Sequence, residues 1–199
     1  MEEIGYKQDS YRVLSEPRVG WRIRGAVVLA TGLVALCAHI AVPLGFTPIP
    51  VTMQTFAVLL LGLLFGPGAA FFCLALYLLE GVVGLPVFTP HGPGGLAQLL
   101  GPSGGYLLAY PFAAALASVL YRRGHRRFLA ALAGASLASL LILAVGATWL
   151  GVLTHAKFSL VFAQSVAPFL AGDAVKVLAA AACASTLESF SNTARTQPL

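Results

Sequence analysis

The chain has 199 residues, of which 58% are hydrophobic and 10% charged, against about 25% charged for an average soluble domain. An ordinary soluble fold is excluded, because Glu80 is the one formally charged residue from Gly25 to Tyr121 and there is none from Phe128 to Ala156. The formal charge of +5 does not point to nucleic acid: the basic residues cluster at Arg12/Arg18/Arg22/Arg24 and Arg122/Arg123/Arg126/Arg127 beside apolar runs, where they read as topology signals.

Residues 1–24 carry Glu2, Glu3, Asp9 and Glu16 beside their arginines, too long and too acidic a segment for the n-region of a cleaved signal peptide. They are expected to remain as a cytoplasmic tail. Counting ~20 residues per span, the apolar runs are Gly25 to Val42, Val51 to Phe65, Ala69 to Leu85, Gly104 to Tyr121, Phe128 to Val152 and Leu160 to Leu187. The expected fold is therefore all-α: six transmembrane helices in one bundle over residues 25–187, followed by a cytoplasmic tail at 188–199.

In the first run Ala26 and Ala30 form a small-xxx-small pair, a spacing that lets another helix approach closely. The stretch Phe46-Thr47-Pro48-Ile49-Pro50-Val51-Thr52-Met53-Gln54 brings an amide to the outer end of the second run; Gln54 either binds a ligand or caps the helix. That run is short and bounded by Pro48, Pro50 and Gly66-Pro67-Gly68, which predicts a tilted or partial helix.

Between the third and fourth runs, Leu85 to Tyr106 is dense in glycine and holds His91, a composition suited either to close approach of a ligand or to irregular loop packing. Ser103 to Gly105 precede a span, where backbone N–H groups favour an anionic group. Cys37, Cys73 and Cys183 lie in separate apolar runs with no metal or redox spacing and are expected to be buried thiols.

The sixth run holds Asp173 and Lys176, the only formally charged residues between Phe158 and Leu187. A charge near the bilayer centre costs roughly 2.5–3.5 kcal/mol on insertion scales, so such groups face a partner or a cavity. Three residues apart, they share one helix face. The pair reads as a binding site, with a purely structural salt bridge as the alternative. Pro168, five residues before Asp173, is expected to start or kink this helix.

Four spans separate the two arginine clusters, so both fall on one side, with both termini cytoplasmic and the connections 43–50, 86–103 and 153–159 outward. Arg195 agrees and Lys157 dissents. No Walker A sequence, His-Glu-x-x-His or Ser/His/Asp constellation occurs. No metal or cofactor is expected, and ATP-driven work needs another subunit.

Phe46-Thr-Pro-Ile-Pro-Val-Thr-Met-Gln54, Leu63-Leu-Phe-Gly-Pro67, Gly84-Leu-Pro-Val-Phe88, Gly94-Gly95, Leu100-Gly-Pro-Ser-Gly-Gly-Tyr106 and Asp173-x-x-Lys176 together resemble the BioY family, the biotin-specific substrate-binding (S) components of energy-coupling-factor (ECF) transporters. The resemblance implies a multi-pass protein of the plasma membrane that captures biotin on its outer side, without catalytic activity. Its implied partners are the lipid bilayer, a transmembrane coupling protein and two ATP-hydrolysing subunits. It further implies a biotin site built from Asp173, Lys176, Gly104, Gly105, Tyr106, Gln54, Phe88, Gly94 and His91, with Tyr110 as a further wall and a docking face at Ala26 and Ala30. Pro93 and Leu107 stand where some relatives carry Asn and Arg, with His91, Gln98 or backbone groups as the stand-ins. Two other readings are an S component for another vitamin such as lipoate, and a small integral-membrane enzyme using Asp173 and Lys176 as acid and base.

Overall fold

The computed structural model describes residues 17–124 and 127–196, with side chains over 25–124 and 127–189. Arg12 and Glu2, Glu3, Asp9 and Glu16 lie outside the described residues, as do Arg126 and His125 and the side chains of Arg18, Arg22, Arg24 and Arg195.

Helix α1 (Pro17–His39) leads into a two-stranded hairpin in which β1 (Ala41–Val42) pairs antiparallel with β2 (Val51–Thr52), Ala41 opposite Thr52 and Val42 opposite Val51. Then follow α2 (Gln54–Leu64), α3 (Pro67–Val82), the short α4 (Gly95–Leu100), α5 (Gly104–Arg123), α6 (Arg127–Thr154), α7 (Phe158–Ser165) and α8 (Ala167–Thr196). Every expected apolar run thus carries a helix. The α5, α6 and joined α7–α8 segments are long and apolar enough to cross a membrane, whereas the apolar parts of α1, α2 and α3 are shorter.

The hairpin and α4 were not legible as periodic patterns. Each is only a few residues long, and each is held by proline, glycine and side-chain bonds more than by its own propensity. Pro67 begins α3 at the position where a missing N–H costs least, and Gly66 and Pro67 thereby separate α2 from α3 as expected.

The fifth helix is the hub, packing against α2, α3 and α6, while α8 packs on α2 and α6. Small residues make this approach possible. Ala113, Ala114 and Ala117 of α5, Ala131, Ala135 and Ala138 of α6, and Ala180, Ala181 and Ala184 of α8 are all fully buried. A β-carbon on Gly62 of α2 would lie 2.7 Å from the Ala114 carbonyl oxygen of α5. Such seams let backbones meet where lipid supplies no hydrophobic drive between helices.

The last apolar run is broken rather than continuous. Val166 interrupts it, with backbone φ −125° and ψ −60° between α7 and α8, two residues before Pro168. Pro168 has no N–H to offer the Gln164 carbonyl, and the Phe169 N–H bonds Val166 at 3.0 Å in place of Ser165. Both released carbonyls are taken up from elsewhere: the Thr47 hydroxyl donates to Gln164 O at 2.7 Å, and the Tyr106 hydroxyl donates to Ser165 O. Gln164 Nε2 returns a bond to Phe46 O at 3.2 Å, so residues 46 and 47 of the hairpin loop are clipped to the break.

Of the three cysteines, Cys37 and Cys73 are buried, but Cys183 is exposed on α8. Its outward register follows from its neighbours, since Ala180, Ala181 and Ala184 take the packed face.

Candidate ligand-binding site

A cavity lies among α2, α5, α6 and α8, and the loops after β1 and α3 also reach it. Its wall combines Ile49, Leu107, Tyr110, Ile142, Leu143 and Phe169 with the polar Thr52, Gln54, Thr55, Thr89, Gln98, Ser103, Asp173 and Lys176, and with Tyr106. Mostly apolar walls with a few convergent polar groups are the chemistry that a small organic ligand requires.

The acid–base pair is at the centre of that polar set. Lys176 Nζ stands 3.0 Å from Asp173 Oδ1, and both residues are about 95% withdrawn from solvent, at 6% and 5% exposure. Neighbouring helices supply the remaining bonds. Lys176 Nζ also donates to Thr55 Oγ1 of α2 at 2.9 Å, and Ser139 Oγ of α6 donates to Asp173 Oδ2 at 3.2 Å. An ammonium has three hydrogens and a carboxylate about four acceptor positions, so each member keeps bonding capacity for a polar ligand. Held at the hydrogen-bonding distance of a charge-assisted pair, they present an acceptor and a donor side by side.

The aromatic wall is built by the break in the last run. Phe169, in the first turn of α8, faces Tyr106 with ring centroids 6.0 Å apart, and the Tyr106 hydroxyl is tied to Ser165. Gly146 of α6 leaves space for that tyrosine, since a β-carbon there would lie 2.4 Å from the Tyr106 ring.

Among the residues expected at the site, Asp173, Lys176, Gln54 and Tyr106 meet in one cavity, together with Tyr110. Gln54 sits at the start of α2 with its side chain bonded to Thr52 and Tyr77. Gly104 and Gly105 are beside the cavity for a packing reason. A β-carbon on Gly104 would lie 1.8 Å from the Leu99 carbonyl oxygen, and one on Gly105 would lie 2.3 Å from Trp149 Cβ.

Phe88 is buried behind the wall, edge-on to Tyr77 at 5.6 Å, rather than on the cavity surface. Gly94 precedes α4 at φ +68°, followed by Gly95 at +57°. Two successive left-handed residues suit glycine, and they turn the loop so that Gly94 N–H meets Gln98 Oε1 at 3.3 Å. His91 is exposed and does not line the cavity. Gln98 does line it, donating to Ser103 Oγ at 2.9 Å, and Leu107 contributes an apolar surface.

Thr55, Ser139 and Thr89 were not singled out from sequence, and Ser103 only for its backbone N–H. Thr55 is adjacent to Gln54, but Ser139 is 34 residues from Asp173, and no local pattern marks its direction. The two alanines of the proposed docking pair part company: Ala26 is exposed, whereas Ala30 is 3% exposed within the core.

Comparison with known proteins gives one answer. The BioY family profile matches residues 16–193. The probable biotin transporter BioY of Pyrococcus horikoshii is 37% identical over 162 residues, covering 81% of this chain and 93% of that protein. Biotin transporter BioY2 of Lactococcus lactis is 34% identical over 152 residues, covering 76% and 82%. In fold, the chain is similar to the solved S-component for biotin from an ECF-type ABC transporter, with TM-score 0.79, 23% identity and coverage of 87% of this chain and 94% of that one.

Proposed function

Because this chain belongs to the BioY family, we propose that it is the biotin-binding subunit of an ECF-type vitamin uptake transporter. As a transport component it returns its ligand chemically unchanged. The observation that carries the reading is the buried Asp173–Lys176 pair opening onto an apolar cavity. The ureido ring of biotin carries two N–H donors and one carbonyl acceptor, and it is neutral. Asp173 accepts the donors, Lys176 donates to the carbonyl, and Tyr106, Tyr110 and Phe169 enclose the bicyclic ring.

Six spans with both termini in the cytoplasm accord with a family of membrane transporters and with the helix on each apolar run. The cavity then opens outward beside the 43–50 and 86–103 connections, and Arg122, Arg123 and Arg127 face the cytoplasm. The setting is the cell membrane. A transmembrane coupling protein and two ATP-hydrolysing subunits supply the energy that this chain has no nucleotide motif to harvest, and Ala26 on the outer face of α1 marks a surface for the coupling protein.

The deciding experiment is competition binding on the purified chain with labelled biotin against unlabelled biotin, lipoate, riboflavin and thiamine. Only unlabelled biotin is expected to displace the label at equimolar concentration. Displacement by another vitamin would transfer the assignment to it, and absence of biotin binding would end the biotin reading.

A further inference from the structure

Two hydrogen-bond chains meet at Gln54. On one side, its backbone N–H donates to Thr52 Oγ1 at 3.3 Å, and the Thr52 hydroxyl donates to Gln54 Oε1 at 3.1 Å. On the other, Gln54 Nε2 donates to the Tyr77 oxygen at 2.7 Å, and the Tyr77 hydroxyl donates to the Val87 carbonyl at 2.8 Å. Tyr77 is wholly buried on α3, and Phe88 packs against its ring. The Phe88 ring occupies the place a side chain would take at Gly81, where a β-carbon would lie 2.0 Å from it.

The direction of this relay follows from proton arithmetic. A tyrosine hydroxyl has one hydrogen, and a backbone carbonyl can only accept. Val87 O therefore claims the Tyr77 proton, and the group that Gln54 turns toward Tyr77 must be a donor. The reverse amide orientation would set two acceptors on one hydrogen and would leave one of them buried without a partner. Gln54 is thereby held with Nε2 toward Tyr77 and Oε1 toward Thr52. Nε2 has a second hydrogen, which meets no acceptor among the described residues, and Gln54 lines the cavity.

We propose that Tyr77 is a positioning residue that holds Gln54 as a hydrogen-bond donor to the ligand, so that the cavity recognises an acceptor oxygen at this point. The inference rests on the biotin reading, in which the ureido and carboxylate oxygens are the acceptors offered. It makes a residue with no contact with the cavity a determinant of affinity, acting from α3 through a single amide.

The test is a double-mutant cycle on the full chain in nanodiscs, with biotin as the probe. Gln54→Leu and Tyr77→Phe are each expected to weaken binding about tenfold, the scale of one lost hydrogen bond. The double variant is expected within about twofold of Gln54→Leu alone, because Tyr77 then has nothing to orient. Losses that multiply, or wild-type affinity in Tyr77→Phe, overturn the proposal. Gln54→Glu keeps the shape but carries no N–H when ionised, and it leaves Tyr77 in place should Tyr77→Phe not fold. Affinity within about threefold of wild type in that variant overturns the donor role.

A ligand-free measurement separates this proposal from the biotin assignment. In protein labelled with 15N-glutamine, the Gln54 side-chain amide signal, identified by its loss in Gln54→Leu, is expected to shift in Tyr77→Phe. An unmoved signal overturns the Tyr77 role, whereas a wild type that fails to bind biotin ends the biotin reading and leaves the amide signal to decide the positioning.

Discussion

The Tyr106 hydroxyl donates to the backbone carbonyl of Ser165, joining α5 to the break between α7 and α8 while the same ring lines the cavity. One side chain thus satisfies a carbonyl that Pro168 and its neighbours release and also forms part of the cavity wall. Removing the oxygen alone, in Tyr106→Phe, strands that carbonyl at a cost of about 1–3 kcal/mol. A lowered unfolding midpoint in detergent is expected by differential scanning fluorimetry, and an unchanged midpoint would show that the bond carries no stability.

Asp173→Asn and Lys176→Ala are each expected to weaken biotin binding at least about tenfold, or about 1.4 kcal/mol, because each deletes one of the two charges that line the cavity. Radiolabelled biotin binding to the detergent-solubilised variants measures this, with gel filtration to check that they remain folded. Wild-type affinity in both removes the pair from the site.

Thr55→Val and Ser139→Ala test the supporting bonds to the same pair. Each removes one hydrogen bond to a charged group and leaves the charges in place, so about 1.5–3 kcal/mol is at stake. Calorimetric titration with biotin is expected to show weaker binding in each, and affinities equal to wild type would show that the pair orients itself.

Gly146→Ala puts a methyl group 2.4 Å from the Tyr106 ring, and overpacking of this kind costs about 1–3 kcal/mol. Binding and stability are expected to fall together, since the displaced ring belongs to both the core and the cavity wall. Loss of stability with full affinity would separate the two roles.

Ala26→Trp is expected to reduce co-purification with the coupling protein and to spare biotin binding by the isolated chain, as Ala26 is on the exposed face of α1. Ala30→Trp is expected to destabilise the bundle itself, because Ala30 is 3% exposed within the core. Normal assembly of Ala26→Trp would place the docking surface elsewhere.

The helices were largely legible, because an uncharged run of suitable length in this composition has few alternatives to a helix in lipid. Asp173 and Lys176 were legible for the same reason, as the exceptions in such a run. Ser139 and Tyr77 were hidden: a serine and a tyrosine in apolar helices are unremarkable by type, and only the crossing of α6 on α8 and the course of the loop past Val87 give them partners. Glycines were legible only in part. Gly104 and Gly105 read as a ligand-facing turn for their backbone N–H groups, and the structure adds that their missing side chains make way for Leu99 and Trp149. Pattern shows where a side chain is absent but not what occupies the space.

The charged pair on α8 is internally solvated. Thr55, Ser139 and the two charges bond one another with protein atoms alone, so part of the cost of burying them is offset before any ligand binds. On the proposed biotin reading, ligand affinity is a surplus over interactions the protein already makes, set by how well a ureido ring uses the lone pairs and the ammonium hydrogen that remain. Discrimination follows from the same circumstance: a solute that fits the apolar wall but cannot use those remaining positions gains little by entering.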